Sequence, residues 1–358
     1  VGEARSFAPV FLTLMQSKER AFDRRFSVAP MMDWTDRHCR FFLRQLSPHA
    51  VLYTEMLTAA ALVHGNRAAL LGFDSAEHPV ALQLGGSDPH LLAQAAEYGA
   101  AEGYDEINLN VGCPSDRVQS GAFGACLMAK PRLVADCVAA MNARVSIPVT
   151  VKVRIGIEEG AGAVQRGVEY TLRDYERLHE FVTLVAAAGC DIFAIHARKA
   201  VLTGLSPKEN REVPPLRYDI VRQLKRDLPR LTIVANGGVR SFEQVEALLA
   251  DVDGVMIGRE AYHNPYLLAR LEARLFPSAG WSAPSRLEVL ERFTAYAEGE
   301  LRNGHTLAAM TRHILGLFSG SAGARSWRRY FSESSRQSGA GIEVLRRACE
   351  MLRRQEAA

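Results

Sequence analysis

The chain has 358 residues, 48% of them hydrophobic, and a formal charge of +3, enough to bury a barrel-sized core beside a smaller one and too apolar for intrinsic disorder. No run approaches the roughly 18 apolar residues of a membrane span, and residues 1–24 lack the basic start, apolar stretch and small-residue exit of a secretory signal, so a cytoplasmic protein with no membrane partner is expected. The cysteines Cys39, Cys113, Cys126, Cys137, Cys190 and Cys349 show no paired CxxC spacing, which predicts free thiols and no structural metal.

In chain order, short β-rich runs fall at residues 26–29, 51–54, 80–84, 106–110, 150–153, 192–196, 232–235 and 254–257. Between most of them, residues 91–101, 133–142, 175–188, 219–225 and 241–249 carry apolar positions at helical spacing. Eight strands alternating with helices predict an α/β fold, a closed parallel TIM (β/α)8 barrel. An open doubly wound sheet uses the same parts, but its glycine-rich dinucleotide turn is missing after the first strand. Residues 267–275 read as the last barrel helix, closing a domain of residues 1–276. Residues 277–286 read as a Pro/Gly/Ser-rich linker, and 287–302, 307–317 and 342–355 read as helices of a C-terminal all-helical domain spanning 287–358. Residues 160–171 form a glycine-rich insertion after the fifth strand, expected as a surface loop.

Parallel strands present the residues after their carboxyl ends to one face of a barrel, so side chains far apart in sequence converge there. That rim carries Pro30 and Met31, Gln83, Asn110 with Cys113, Lys152, Arg154, His196 with Arg198, Asn236-Gly237-Gly238 and Gly258-Arg259. The glycines after strands seven and eight permit close backbone approach, and with the Arg259 fork they predict a phosphate site. Lys152 and Arg154 share parity, and a strand ending between them would send only Lys152 into the mouth, where its charge can stabilise negative charge on a conjugated ring or carbonyl. Gln83 can donate and accept at a heteroaromatic edge. His196 can hydrogen-bond a ring carbonyl or act as an acid, and Arg198 can engage a phosphate or carboxylate. Cys113 is delivered into a tight turn, where it is a candidate nucleophile or proton donor. The other histidines show no metal-motif spacing. From residue 301 onward there are ten arginines against four glutamates, a surface suited to phosphates.

Together, Phe26-Ser-Val-Ala-Pro-Met-Met-Asp-Trp-Thr-Asp36, Asn108-Leu-Asn-Val-Gly-Cys-Pro-Ser115, Lys152-Val-Arg-Ile-Gly156 and His196-Ala-Arg-Lys199 resemble the tRNA-dihydrouridine synthases. Gly204-Leu-Ser-Pro-Lys-Glu-Asn-Arg211 with Pro214-Pro-Leu216 looks like the bacterial DusA branch of that family. The resemblance implies an FMN-bound barrel that reduces the C5=C6 bond of D-loop uridines in tRNA at positions 20 and 20a, with NADPH as reductant. It implies that Ala29, Pro30 and Met31 approach the flavin, that Gln83 and Lys152 bind its ring system, and that His196 lies near its polar edge. Asn236, Gly237, Gly238, Gly258 and Arg259 match its phosphate-binding positions, while Asn110 and Arg198 are candidates for positioning the uracil.

The same resemblance makes Cys113 the proton donor to C5 after hydride reaches C6, with no covalent bond to substrate. Arg312, Arg325, Arg328 and Arg329 are the candidate contacts to tRNA phosphates, and Trp327 or Tyr330 can stack or pack. Two other functions use parts of the same pattern. A flavin-dependent reductase or dehydrogenase of a free pyrimidine or small conjugated carbonyl explains the barrel but leaves the basic extension without a use. A nonenzymatic RNA-binding protein explains the extension but not the strand-end constellation.

Overall fold

The computed structural model describes residues 22–115, 121–158, 168–277 and 280–356. All eight predicted strands form: β1 Phe26–Val28, β2 Val51–Tyr53, β3 Val80–Gly85, β4 Glu106–Val111, β5 Val149–Glu158, β6 Ile192–Val201, β7 Thr232–Asn236 and β8 Gly254–Ile257. Each pairs in parallel with the next, and β8 returns to β1 through Phe26↔Val255, Ser27↔Met256 and Val28↔Ile257. The ring is closed, which leaves no exposed sheet edge among these eight strands. A two-residue strand, Leu57–Thr58, adds to the end of β3.

The period of two sorts the side chains between two cores. Outward positions such as Val28, Leu52, Leu82, Leu109, Val151 and Ile195 are buried beneath the helices in one large apolar cluster, each fully buried side chain contributing about 1.5–3 kcal/mol. Ala29, Val51, Tyr53, Ala81, Ala194, Val234 and Met256 form a smaller cluster inside the ring. Their register partners on the same face are polar: Gln83 opposite Asn108, Asn110 opposite Lys152, and Arg154 opposite His196. The interior is therefore apolar on one side and hydrogen-bonded on the other.

The predicted barrel helices appear as α2 Pro89–Glu102, α3 Pro131–Asn142, α4 Leu172–Ala187, α5 Tyr218–Asp227, α6 Phe242–Leu249 and α7 Tyr266–Leu275, preceded by α1 Arg37–Arg44. Sequence periodicity misses α1 because its buried face includes His38, Arg40 and Arg44. These are held by fixed partners: Arg40 Nε lies 2.6 Å from Glu77, and the Arg44 guanidinium donates to the carbonyls of Ser47, Pro48, Ala50, Glu77 and Pro79 at 2.7–3.0 Å. Thr171 and Asp174 form a capping box that starts α4. Most of the expected glycine-rich insertion, residues 160–167, lies outside the described residues.

Beyond the barrel come α8 Arg286–Arg302, α9 Leu307–Thr311, α10 Ala324–Ser334 and α11 Glu343–Glu356. The capping box of Ser285 and Glu288 fixes where α8 begins. The helix expected over residues 307–317 is instead broken into α9 and a 3-10 turn, Ile314–Gly316. Gly316 lies so close to the barrel that an added Cβ would sit 2.6 Å from the Tyr262 carbonyl and 2.8 Å from that of His263. Helix α10 has no counterpart among the predicted elements.

This helical region packs on α1. Phe41 stacks on Tyr296 with ring centroids 3.8 Å apart, and Phe42 meets Phe293 edge-on at 5.8 Å. Among the described residues no helix is long and apolar enough to cross a membrane.

Candidate active site

The turn after β4 is built by one side chain. Asn110 Oδ1 accepts from the backbone N–H of Gly112 and of Cys113, both at 3.0 Å, the Asx geometry that lets asparagine replace a backbone turn. Cys113 is thereby aimed from the strand end, half-buried, with Sγ 3.4 Å from Ser115 Oγ and its carbonyl accepting from Ala125 N at 2.9 Å. Among the six cysteines, Cys39, Cys137, Cys190 and Cys349 are buried and only Cys126 shares this partial exposure.

Asn110 also donates to Gln83 Oε1 at 2.8 Å, and Gln83 Nε2 donates to Asn108 Oδ1 at 2.8 Å. Across the mouth, Lys152 Nζ donates to Asn236 Oδ1 at 3.1 Å, while Asn236 Nδ2 donates to the Met256 carbonyl at 2.8 Å. Burial, reinforced by neighbouring Arg154, lowers the Lys152 ammonium to about 7. An anionic or electron-rich ring placed beside it would favour the charged form.

Arg154 takes a different part from Lys152, but not because the strand ends between them. β5 continues to Glu158 and both residues share the inner face. The Arg154 guanidinium is instead tied to the carbonyls of Gly112, Lys199 and Asn210 at 3.0, 3.2 and 2.8 Å. It braces the Cys113 turn against the extension of β6.

His196 is buried. Burial first, then Arg154, Lys152, Arg198 and Arg211, hold its imidazolium well below the ordinary range, so at neutral pH it is a neutral ring with one N–H to donate. Gly237 follows at φ 115° and Gly238 at φ 67°, conformations that favour glycine. A Cβ at Gly237 would also press to 2.6 Å from the His196 ring, whereas at Gly258 it would meet nothing within 4 Å. Backbone and open space thus lie side by side at the ends of β7 and β8.

Two cations flank that space. Arg259 Nη1 pairs with Glu212 Oε1 at 2.7 Å. Arg198 Nη1 donates to the carbonyls of Glu212, at 3.2 Å, and Pro214, while its Nε is buried with no hydrogen-bond partner among the described residues. Ala29 donates its N–H to the Ile257 carbonyl at 2.8 Å, which brings the first loop alongside Gly258. Pro30 and Met31 are half-buried there, with Met31 N bonded to Thr35 Oγ1 at 2.9 Å.

The four C-terminal arginines separate. Arg312 Nη2 lies 2.6 Å from Asp36 Oδ2, which His313 Nε2 also meets at 3.0 Å. Burial opposes the charge on Asp36, but His313, the Cys39 N–H and Arg312 together hold its carboxyl well below the usual range. Arg325, Arg328 and Arg329 are exposed on α10, spaced to share one face, and carry no ion pair among the described residues. The opposite face holds Trp327, 8% exposed, with its Nε1 donating to the Ile314 carbonyl at 2.9 Å and its ring 4.6 Å from Phe318 and from Phe331. Trp327 therefore packs, and Tyr330 donates to the Val344 carbonyl at 2.9 Å.

One grouping escapes the sequence because its members are remote. His38, Glu300 and His305 bring potential ligand atoms within 4.8 Å of one another. The Arg37 guanidinium already lies 3.3 Å from Glu300 Oε1, and His38 Nδ1 is 2.7 Å from Tyr296 Oη. These contacts join α1 to α8.

The pattern of the family described as Dihydrouridine synthase (Dus) matches residues 27–354. Among similar proteins, the tRNA-dihydrouridine(20/20a) synthase of Escherichia coli K12 is 55% identical over 329 residues, covering 92% of this chain and 91% of that protein. The proteins so named from Shewanella oneidensis and Synechocystis are 55% and 56% identical, covering 92% and 90% of this chain and 94% and 93% of theirs. A match of this extent, over a closed parallel barrel whose strand ends gather Cys113, Lys152 and His196, shows that the chain belongs to the dihydrouridine synthase family.

Proposed function

We propose that this protein reduces the C5=C6 bond of uridine in tRNA to dihydrouridine, at D-loop positions 20 and 20a as in a DusA-like enzyme, using FMN and NADPH. The observation that carries this reading is the meeting of a half-buried thiol turn, Cys113, with Lys152 and His196 at one barrel mouth. The curated relatives named for positions 20 and 20a support the choice of substrate.

The residues present fit a flavin phosphate. Gly237 and Gly238 hold positive φ, and Gly258 opens onto free space where an added Cβ would meet nothing within 4 Å. Asn236, Gly237, Gly238, Gly258 and Arg259 would hold the phosphate, Ala29, Pro30 and Met31 would line the ring, and Gln83 and Lys152 would bind its polar edge with His196 beside them. Bound there, FMN would supply hydride chemistry toward C6 of the uracil, with NADPH as its reductant.

The chain's own residues do the rest. Cys113 holds a proton on Sγ and delivers it to C5. Asn110, with Arg198, positions the base, and His196 donates its N–H to a ring carbonyl. Lys152 supplies positive charge as electron density builds at the ring edge. Residues 287–358 would form the tRNA-binding region, with Arg312, Arg325, Arg328 and Arg329 on phosphates. Extruding the target uridine costs roughly a few kcal/mol of stacking, which contacts to the surrounding RNA have to offset.

The test incubates purified protein, FMN and NADPH with unmodified tRNA or with free uridine, and measures dihydrouridine by mass spectrometry. Reduction of folded tRNA alone is expected. Reduction of free uridine alone would replace this reading with a small-molecule reductase, and tRNA binding without any reduction would replace it with a nonenzymatic one.

A further inference from the structure

A chain of buried side chains runs from the floor of the barrel to the thiol turn. At the floor, Glu106 accepts from Arg24 Nη1 at 2.5 Å, from Tyr53 Oη at 2.8 Å and from Thr150 Oγ1 at 2.5 Å. Thr150 Oγ1 in turn accepts from Asn108 Nδ2 at 2.8 Å, Asn108 Oδ1 from Gln83 Nε2 at 2.8 Å, and Gln83 Oε1 from Asn110 Nδ2 at 2.8 Å. Asn110 Oδ1 ends the chain on the N–H groups of Gly112 and Cys113. Glu106 and Asn108 are fully buried, Thr150 and Gln83 are 1% exposed, and Asn110 is 8% exposed.

The direction of every bond follows from the floor. A carboxylate facing a guanidinium offers only lone pairs, so the Thr150 hydroxyl gives its single hydrogen to Glu106 and can only accept from Asn108. Asn108 must then present Nδ2 downward and Oδ1 upward, which fixes the Gln83 amide, which fixes Asn110. Reversing any one amide sets donor against donor on one side and acceptor against acceptor on the other, and below Asn110 the site is closed to water. The chain has one consistent orientation.

We propose that Glu106 and Thr150 are positioning residues: through Asn108 and Gln83 they lock the Asn110 amide and so hold the Cys113 turn in its reactive geometry. A corollary is that both lone-pair directions of Asn110 Oδ1 are occupied, so Asn110 offers a bound base an N–H and not an acceptor. The role in turnover rests on the uridine-reducing reading above, whereas the hold on the Cys113 turn does not.

The test uses the holoenzyme and compares Thr150→Val, which keeps the shape and cuts the chain, with Thr150→Ser, which keeps the hydroxyl. Alkylation of Cys113 by iodoacetamide, mapped by peptide mass spectrometry, is expected to quicken about fivefold in the valine variant, the worth of one buried hydrogen bond. Serine should restore the wild-type rate. In rapid-mixing experiments, reoxidation of the reduced flavin by tRNA should slow at least as much in Thr150→Val, while flavin reduction by NADPH changes by less than about twofold.

Glu106→Gln, which lets the chain run either way, is the second variant and should show the same Cys113 signature if the valine protein does not fold. Wild-type alkylation in both variants, or equal impairment by serine and valine, would overturn the proposal. If wild-type protein proves unable to reduce tRNA, the alkylation comparison still decides whether the relay holds the turn.

Discussion

The barrel mouth and the outer face of α10 treat polar side chains in opposite ways. At the mouth, Asn110, Gln83, Lys152, Asn236 and Arg154 are each bound to a named neighbour within 3.2 Å. On α10, Arg325, Arg328 and Arg329 stand exposed with no ion pair among the described residues. Bond-making chemistry tolerates little misplacement of a reacting atom, so its groups must be oriented before the ligand arrives. Attraction to a polyanion depends mainly on charge within a Debye length of about 8–10 Å and tolerates mobile side chains. Arg312 stands between these regimes, a cation of the basic segment paired to Asp36 of the barrel.

The sharpest way to separate the two regions is Cys113→Ala. It should slow uridine reduction by about 10²–10⁴-fold, the range of a lost general acid, while flavin retention and tRNA affinity stay unchanged. Wild-type turnover in that variant would remove the thiol from the mechanism.

The seam between the regions is the next place to break. Asp36→Ala removes the cap of α1 and the partner of Arg312 and His313, with an expected loss of about 2–4 kcal/mol of stability in denaturant titration. His38 belongs to the same seam, and burial lowers it to about 4 from an ordinary 6.5. A group whose folded value is depressed contributes its stability fully above 6.5 and loses it as pH falls toward 4, so melting temperature should drop across that window. His38→Gln should flatten the drop.

Within the mouth, Lys152→Met should weaken FMN binding about 10–100-fold, as expected for a charged hydrogen bond. Burial lowers Lys152 to about 7, and the electron-rich carbonyl edge of a bound flavin would favour its charged form, so binding takes up a proton above that pH. Affinity should therefore fall as pH rises past 7, by up to about tenfold per unit, and the dependence should vanish in the methionine variant. Fluorescence titration of FMN at several pH values measures both effects.

The smallest single effects belong to α10. Neutralising Arg325, Arg328 and Arg329 together should weaken tRNA binding and lower the magnitude of its salt slope by about 2–3, leaving flavin content untouched. An unchanged slope would place the phosphate contacts elsewhere.

Much of the fold and of the rim is legible in the residues alone. Eight strands are readable because each is a short β-rich run, and most candidate rim residues follow from where those runs end, although β5 continues past Lys152 and Arg154 to Glu158. Helix α1 is hidden because Arg40 and Arg44 sit on its buried face, satisfied by partners that the local sequence does not reveal. The broken helix at residues 307–317 is equally hidden, since its break answers to the carbonyls of Tyr262 and His263.

Local sequence is enough to settle the barrel and the family and to nominate candidate residues at the strand ends, because strand period, turn chemistry and motif spacing are properties of neighbouring residues. Which partner each polar group meets is settled by the tertiary fold: that Arg154 braces while Lys152 faces the mouth, that Arg312 meets an aspartate 276 positions away, and that Glu106 is linked through Thr150, Asn108 and Gln83 to the amide beside Cys113. The physical reason is that a hydrogen bond is decided by about 3 Å of distance and by direction, and chain separation carries no information about either.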